Sequence, residues 1–217
     1  MAHRWAAATA VILAAAVPCF PQADEVEPLK VDEAAGKVSF GARAAKLNVY
    51  EQLKGVIEYL IVMPGGKEYE SLMIAPVDGI KLREGMVKAG FKPGKAGDED
   101  EKQLPEGTKL KVMVEWKEGD KDRRESIEYF VLDVINKKAM DAGPFAFTGS
   151  KMAFDPTTET MVPAVKTTKN VVSLFHNDQT VLIQPGKFAE DPHQYKANKE
   201  RALKAGTAVR IVLEPVK

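Results

Sequence analysis

Glu58 and Glu70 are the residues of this 217-residue chain whose types and spacing best suit chemistry. They lie on either side of the turn Pro64-Gly65-Gly66. If the flanking runs pair as a hairpin, the two carboxyls fall opposite or diagonal to one another on one face. Carboxylates that close raise one another's pKa and can work as an acid and base pair. Their lysine-rich surroundings also fit ordinary solvated charge, and both readings stay open. His176, Asn177 and Asp178 close an apolar run. A histidine and a carboxylate two residues apart can contribute to a metal site. No second histidine stands at ligand spacing, and Asn-Asp after a strand is ordinary turn chemistry. The turn is therefore preferred, and no metal is assigned.

The remaining candidates are plainer. Ser173, in Val172-Ser173-Leu174, lacks the glycines that a nucleophile elbow requires. Ser71 follows Glu70 in an expected strand, so their side chains point to opposite faces. His193 belongs to the first turn of an expected helix, on its exposed side. Gly65-Gly66 and residues 94–97 match no phosphate-binding or dinucleotide fingerprint. Scattered aromatic residues on the strands read as core. Glu58, Glu70, His176 and Asp178 are left as candidate binding residues, with no catalytic set and no cofactor.

Composition narrows the classes further. Thirty-one basic residues balance 31 acidic ones, and both signs are interspersed. Nothing in that order suggests a nucleic-acid footprint or an anionic-membrane patch, and the pair Lys137-Lys138 reads as solvated surface. Cys19 is the only cysteine.

It lies at the end of a segment with its own layout. His3 and Arg4 precede an alanine-rich apolar run, residues 5–17, followed by Pro18 and Pro21. That order of charge, apolar stretch and breaker is a secretory leader, with cleavage expected between about residues 19 and 23. The run is short of the roughly 20 residues that span a bilayer. Acylation of Cys19, giving a lipoprotein, is the alternative, although Pro18 replaces the small residue usual before such a cysteine. Export with cleavage leaves a body without thiols. Disulfides, cysteine-bound zinc and iron–sulfur clusters are then excluded. The expected location is periplasmic or secreted, with no transmembrane segment after the leader.

The elements that must position the candidates are mostly strands. Residues 24–36 read as a flexible arm and 37–217 as one domain. Strands are expected at 37–40, 46–50, 56–62 and 68–74, the last two forming the hairpin that carries Glu58 and Glu70. Asp78 caps a helix over 79–89, stopped by Gly90, with Leu82, Met86 and Ala89 on its buried face. A charged loop occupies 92–107. Strict alternation of Leu110, Val112, Val114 and Trp116 marks a strand at 108–116 with one dry face. A turn at Gly119-Asp120 leads to a strand at 125–132, and further strands follow at 145–148, 160–166, 170–176 and 180–184. Asp191, Pro192 and Gln194 open a second helix that ends at Gly206. A closing strand covers 207–213. The fold class is therefore α+β and β-dominated: a mostly antiparallel sandwich or barrel-like sheet with two short helices.

Several of these runs resemble the YdjY-domain family. They are Val56-Ile57-Glu58-Tyr59-Leu60-Ile61-Val62, the Gly66-Lys67 turn, and Tyr69-Glu70-Ser71-Leu72-Met73. The helical segment 80–90, Phe147-Thr148-Gly149-Ser150 and Val171-Val172-Ser173-Leu174-Phe175 extend the likeness over most of residues 37–185. The resemblance implies an exported bacterial protein without an established activity. Some members of that family carry ferredoxin modules; a body without cysteines cannot hold such a cluster, so electron transfer is not carried over. The helix here, with Lys81, Arg83, Glu84 and Lys88, is more charged than the family's version. The family supplies no catalytic residues to transfer. The expectation is a monomeric or weakly associating, non-catalytic binding or structural module with an unknown envelope ligand or protein partner. A hydrolytic or acid–base enzyme using Glu58 and Glu70, and a subunit of an envelope assembly, are the alternatives.

Overall fold

A computed structural model describes residues 26–97, 103–185 and 194–216. In chain order the elements are β1 (Lys30–Asp32), β2 (Lys37–Ala44), β3 (Tyr59–Val62), β4 (Ser71–Ile74), α1 (Gly79–Lys88), β5 (Lys109–Glu118), β6 (Lys121–Ser126), β7 (Val131–Asp133) and β8 (Lys138–Ala139). They continue with β9 (Phe145–Phe147), β10 (Met152–Asp155), β11 (Thr160–Pro163), α2 (Val165–Thr168), β12 (Asn170–Ser173), β13 (Leu182–Ile183), β14 (Tyr195–Ala197) and β15 (Ala208–Pro215).

Ten strands make one sheet in the order β1-β2-β15-β5-β9-β13-β12-β3-β4, with β6 attached to β5, and β4 pairs back onto β2. The sheet thereby closes into a barrel-like ring whose pairings are antiparallel except for β3–β4 and β12–β13. Closure removes most of the open strand edges that a flat sheet of this size would expose. Val38, Phe40, Leu60, Leu110, Val112, Phe145, Phe147, Leu182, Ile211 and Leu213 fill the interior. The alternation in β5 does what its pattern requires: Leu110, Val112 and Val114 are buried, and Lys111 is exposed. The α+β, strand-dominated class is thus the observed one, and the β5–β6 hairpin turns at Gly119-Asp120. Its returning strand, however, is Lys121–Ser126, and Ile127–Phe130 of the strand expected at 125–132 form a 3-10 turn.

The helix α1 is capped as its sequence requires. The Asp78 carboxylate accepts from the Ile80 and Lys81 amides at 2.9 and 3.0 Å. Leu82 and Met86 are fully buried, while α1 packs against β1, β2 and α2. Gly79 lets it approach α2, because a Cβ there would sit 2.8 Å from Val165 Cγ2.

Four further expectations need correction. Residues 46–50 form no strand; the chain loops there into a 3-10 turn at Glu51–Leu53. The β3–β4 unit is parallel, not a hairpin, with Tyr59 beside Ser71 and Ile61 beside Met73. Every residue of β3 is buried. That continuous apolar run fits a strand covered on both faces better than a half-wet hairpin arm. The 3-10 turn Glu68–Glu70 uses the residues a hairpin would have extended and returns the chain to the start of β3.

The second helix is also misplaced. Tyr195–Ala197 is strand β14, antiparallel to β7, and the chain turns after it, with Asn198 Oδ1 accepting the Glu200 amide. A lysine-rich helix with only Tyr195, Ala202 and Leu203 to bury had little to gain from packing, whereas pairing satisfies the amides along β7. Asp191, Pro192 and His193 lie outside the described residues. The second short helix is instead α2, which overlaps only the end of the strand expected at 160–166; Thr160–Pro163 of that stretch is strand β11. Finally, part of the segment expected to be an arm forms the edge strand β1. Among the described residues no helix is long and apolar enough to cross a membrane.

Candidate functional site

The turn after β3 assembles the two glutamates. Gly65 takes a positive φ of 76° and its amide donates to Glu68 Oε1 at 2.7 Å, folding the chain back on itself. The Glu70 amide and the Ser71 hydroxyl then both donate to the Lys67 carbonyl, at 3.1 and 2.6 Å. Glu58, just ahead of β3, donates its amide to the Glu70 carbonyl at 3.0 Å. Backbone bonds thus bring Glu58 and Glu70 side by side, although through a parallel crossover rather than a hairpin.

Between their carboxyls stands Lys67. Its Nζ donates to Glu58 Oε2 at 2.7 Å and lies 3.3 Å from Glu70 Oε2, the second contact outside good hydrogen-bond geometry. The ammonium also sits 5.6 Å from the centre of the Tyr59 ring. Burial acts to lower the Lys67 pKa, but the hydrogen bond and charge of Glu58, with Tyr59 and Glu70, outweigh it and hold the group above the ordinary lysine range. Burial, and then the charge of Glu58, push the Glu70 carboxyl up. Burial also raises the Tyr59 phenol. The result is a half-sheltered carboxylate–ammonium–carboxylate cluster in which the lysine stays protonated.

The other two candidates lie on the loop between β12 and β13. His176 and Asp178 line a cleft of about 410 Å³ with Phe175, Asn177, Gln179, Ala96 and Gly97. Asn177 shapes the loop: its Oδ1 accepts the Gln179 amide at 3.0 Å, and its carbonyl accepts the Thr180 hydroxyl at 2.8 Å. This is the turn that Asn-Asp suggests. The Asp178 carboxylate pairs with Lys151 at 2.8 Å. Asn177 Nδ2 donates to the Tyr59 hydroxyl at 3.3 Å, and Phe175 packs edge-on against the Tyr59 ring at 5.6 Å. Tyr59 therefore lies between the loop and the glutamate cluster. Ser173 and Ser71 spend their hydroxyls on backbone carbonyls, of Phe175 and Lys67 respectively. Among the described residues no three His, Cys, Asp or Glu side chains are grouped to hold a metal ion.

One constellation escaped the sequence reading. Lys54, Lys137, Lys138, Lys196, Lys199 and Arg201 line a single groove of about 540 Å³, with Leu47, Asn48, Gly55, Leu132, Ala139 and Asn198 among its walls. Three separate pieces of chain build it: the segment before β3, the β7–β8 turn, and the run from β14 onward. They are joined by the Val56–Lys196 bridge and by the Ala197 amide donating to the Gly55 carbonyl at 3.2 Å. Lys54 and Lys137 occupy the left-handed region, with φ of 50° and 53°, each at the end of its turn. Lys54, the pair Lys137-Lys138 and the run Lys196, Lys199 and Arg201 are far apart in sequence, so only the fold brings the three groups together.

A search of curated proteins and of solved structures finds no match to the chain. The model of the YdjY domain matches residues 29–214, a longer span than the motifs alone mark out. It takes in β1 at one end and all but the last residue of β15 at the other. This chain belongs to the YdjY-domain family.

Proposed function

We propose that this chain is an exported, non-catalytic binding or structural module of the cell envelope. The Glu58–Lys67–Glu70 cluster carries the reading. An acid and base pair needs one carboxyl poised to donate a proton and another to accept one, both within reach of a substrate. Here both carboxyls face the same ammonium, at 2.7 and 3.3 Å. That arrangement fastens the crossover between β3 and β4 and leaves neither group committed to a reaction. The apolar, alanine-rich start of the chain supports export.

The test has two arms. Purified protein is offered divalent metals, glycans and peptidoglycan fragments in thermal-shift assays, and ester, glycoside and peptide panels in turnover assays. The expected result is a ligand-dependent rise in melting temperature without turnover. Robust turnover that disappears in Glu58→Gln or Glu70→Gln would establish the enzyme reading instead. Cell fractionation should place the protein outside the cytosol. Recovery of full-length material beginning at Met1 from the cytosol contradicts the envelope assignment.

A further inference from the structure

The groove lined by Lys54, Lys137, Lys138, Lys196, Lys199 and Arg201 differs from the other large depression on the molecule in how its charges are used. The second depression, also about 540 Å³, runs past Glu27, Glu115, Trp116, Asp122, Arg123, Arg124 and Arg210. There the charges satisfy one another: Arg124 pairs with Glu115, Arg210 with Glu27, and Lys117 with Asp122. In the lysine groove, Lys138 pairs with Asp141 and Arg201 stacks over Tyr129 at 4.4 Å. Lys54, Lys137, Lys196 and Lys199 form no ion pair with any described residue, and Glu200 is the one acidic residue in the wall. Four uncompensated ammonium groups share one concave surface in a chain whose formal charge is zero.

Such an arrangement costs self-repulsion, and a cleft of one sign concentrates counter-ions of the other. The donor type narrows the counter-ion. The bidentate fork of arginine meets carboxylate and phosphate alike, but the single arginine here is turned onto an aromatic ring. Lysine meets anions as a compact point charge, so four ammonium groups in one groove select by charge density and favour multivalent phosphate over less charged carboxylates. We propose that this groove is a binding site for multivalent phosphate, either free polyphosphate or phosphate esters carried on a polymer. The proposal rests on the binding-module reading above and names its ligand class.

Isothermal titration of the full chain with sodium tripolyphosphate, poly(glycerol phosphate) and citrate tests it. Tripolyphosphate should bind at low ionic strength and more weakly as salt rises. The variant Lys54→Ala/Lys137→Ala/Lys196→Ala/Lys199→Ala should lose at least about tenfold in affinity with its circular dichroism unchanged, since each removed cation is one fewer phosphate contact. The control Lys81→Ala/Lys88→Ala, on exposed positions of α1, should bind as wild type does. If the quadruple variant misfolds, Lys196→Gln/Lys199→Gln supplies the same comparison. Binding of tripolyphosphate alone assigns free phosphates, and equal or tighter binding of the polymer assigns phosphate esters. Failure of both to bind, unchanged affinity in the lysine variants, or citrate binding as tightly as tripolyphosphate overturns the site. Release of orthophosphate from tripolyphosphate would leave the groove standing and overturn the non-catalytic reading. Absence of binding does the reverse.

Discussion

Lys67 neutralises two neighbouring carboxylates at once, so its loss should be felt more than that of an ordinary surface lysine. The cluster is partly sheltered. Lys67→Met should therefore destabilise by about 1–2 kcal/mol, between the values for exposed and buried pairs. Adding Glu70→Gln should recover part of that loss by removing the like-charge contact, which urea unfolding of the single and double variants would show. Glu70 alone behaves differently. Its carboxyl is raised by burial and by Glu58, so the folded state favours the neutral form. That contribution is complete below the ordinary value of 4.5 and is lost as pH rises through the folded value. Asp155 has the opposite sign: the Lys166 ammonium at 2.7 Å and the Thr157 amide lower its carboxyl to about 2. Its stabilising contribution is present above the ordinary 3.8 and lost as pH falls toward about 2. Lys166→Met should then flatten the acid limb of the stability profile in urea titrations from about pH 6 down to about pH 2. At this scale the sequence disclosed Glu58 and Glu70 as neighbours but not Lys67. Lysines are common around both, and only the turn geometry selects the one that reaches between them.

Short elements here are decided by local bonds. Asp78→Ala should cost about 1 kcal/mol through loss of the α1 cap. Gly79→Ala should cost about 1–3 kcal/mol, because its Cβ would press on Val165 and separate α1 from α2. Thermal melts of the two variants and of the pair should show near-additive losses if the cap and the packing act independently. The features legible beforehand were those with a strong local signature: the capped helix, the alternating strand β5, the Gly119-Asp120 hairpin. The misread features were those in which partners distant in sequence decide. Residues 56–74 look like a hairpin because Pro64-Gly65-Gly66 is a turn. Whether the returning strand lies antiparallel or parallel depends on the Glu68–Glu70 turn and on β2, which takes β4 through Ala44 and Met73. Tyr195–Ala197 becomes a strand because β7 offers it an edge. No periodicity within those three residues could disclose that.

The whole molecule is a closed ring with smaller sheets outside it, and its stability should follow that division. Amide exchange should be slowest in β2, β5 and β15, which pair on both sides within the ring, and fastest in the separate β10–β11 hairpin. Equal protection in the two regions would contradict the ring as the stable unit. Charge is also organised only at this scale. The composition is balanced and the order interspersed, yet folding gathers Lys54, Lys137, Lys196 and Lys199 into one groove and locks Glu58 and Glu70 onto Lys67. On the proposed reading the first feature is the binding surface, and the second is a structural ion cluster. The proton on Lys67 separates the two readings of the barrel most directly. Heteronuclear NMR titration of the lysine side chains in the intact protein should show Lys67 still charged when the exposed lysines have titrated near their ordinary value of about 10.4. Loss of its proton at or below about pH 8 would make it an available base or nucleophile beside two carboxylates, and would contradict a non-catalytic module.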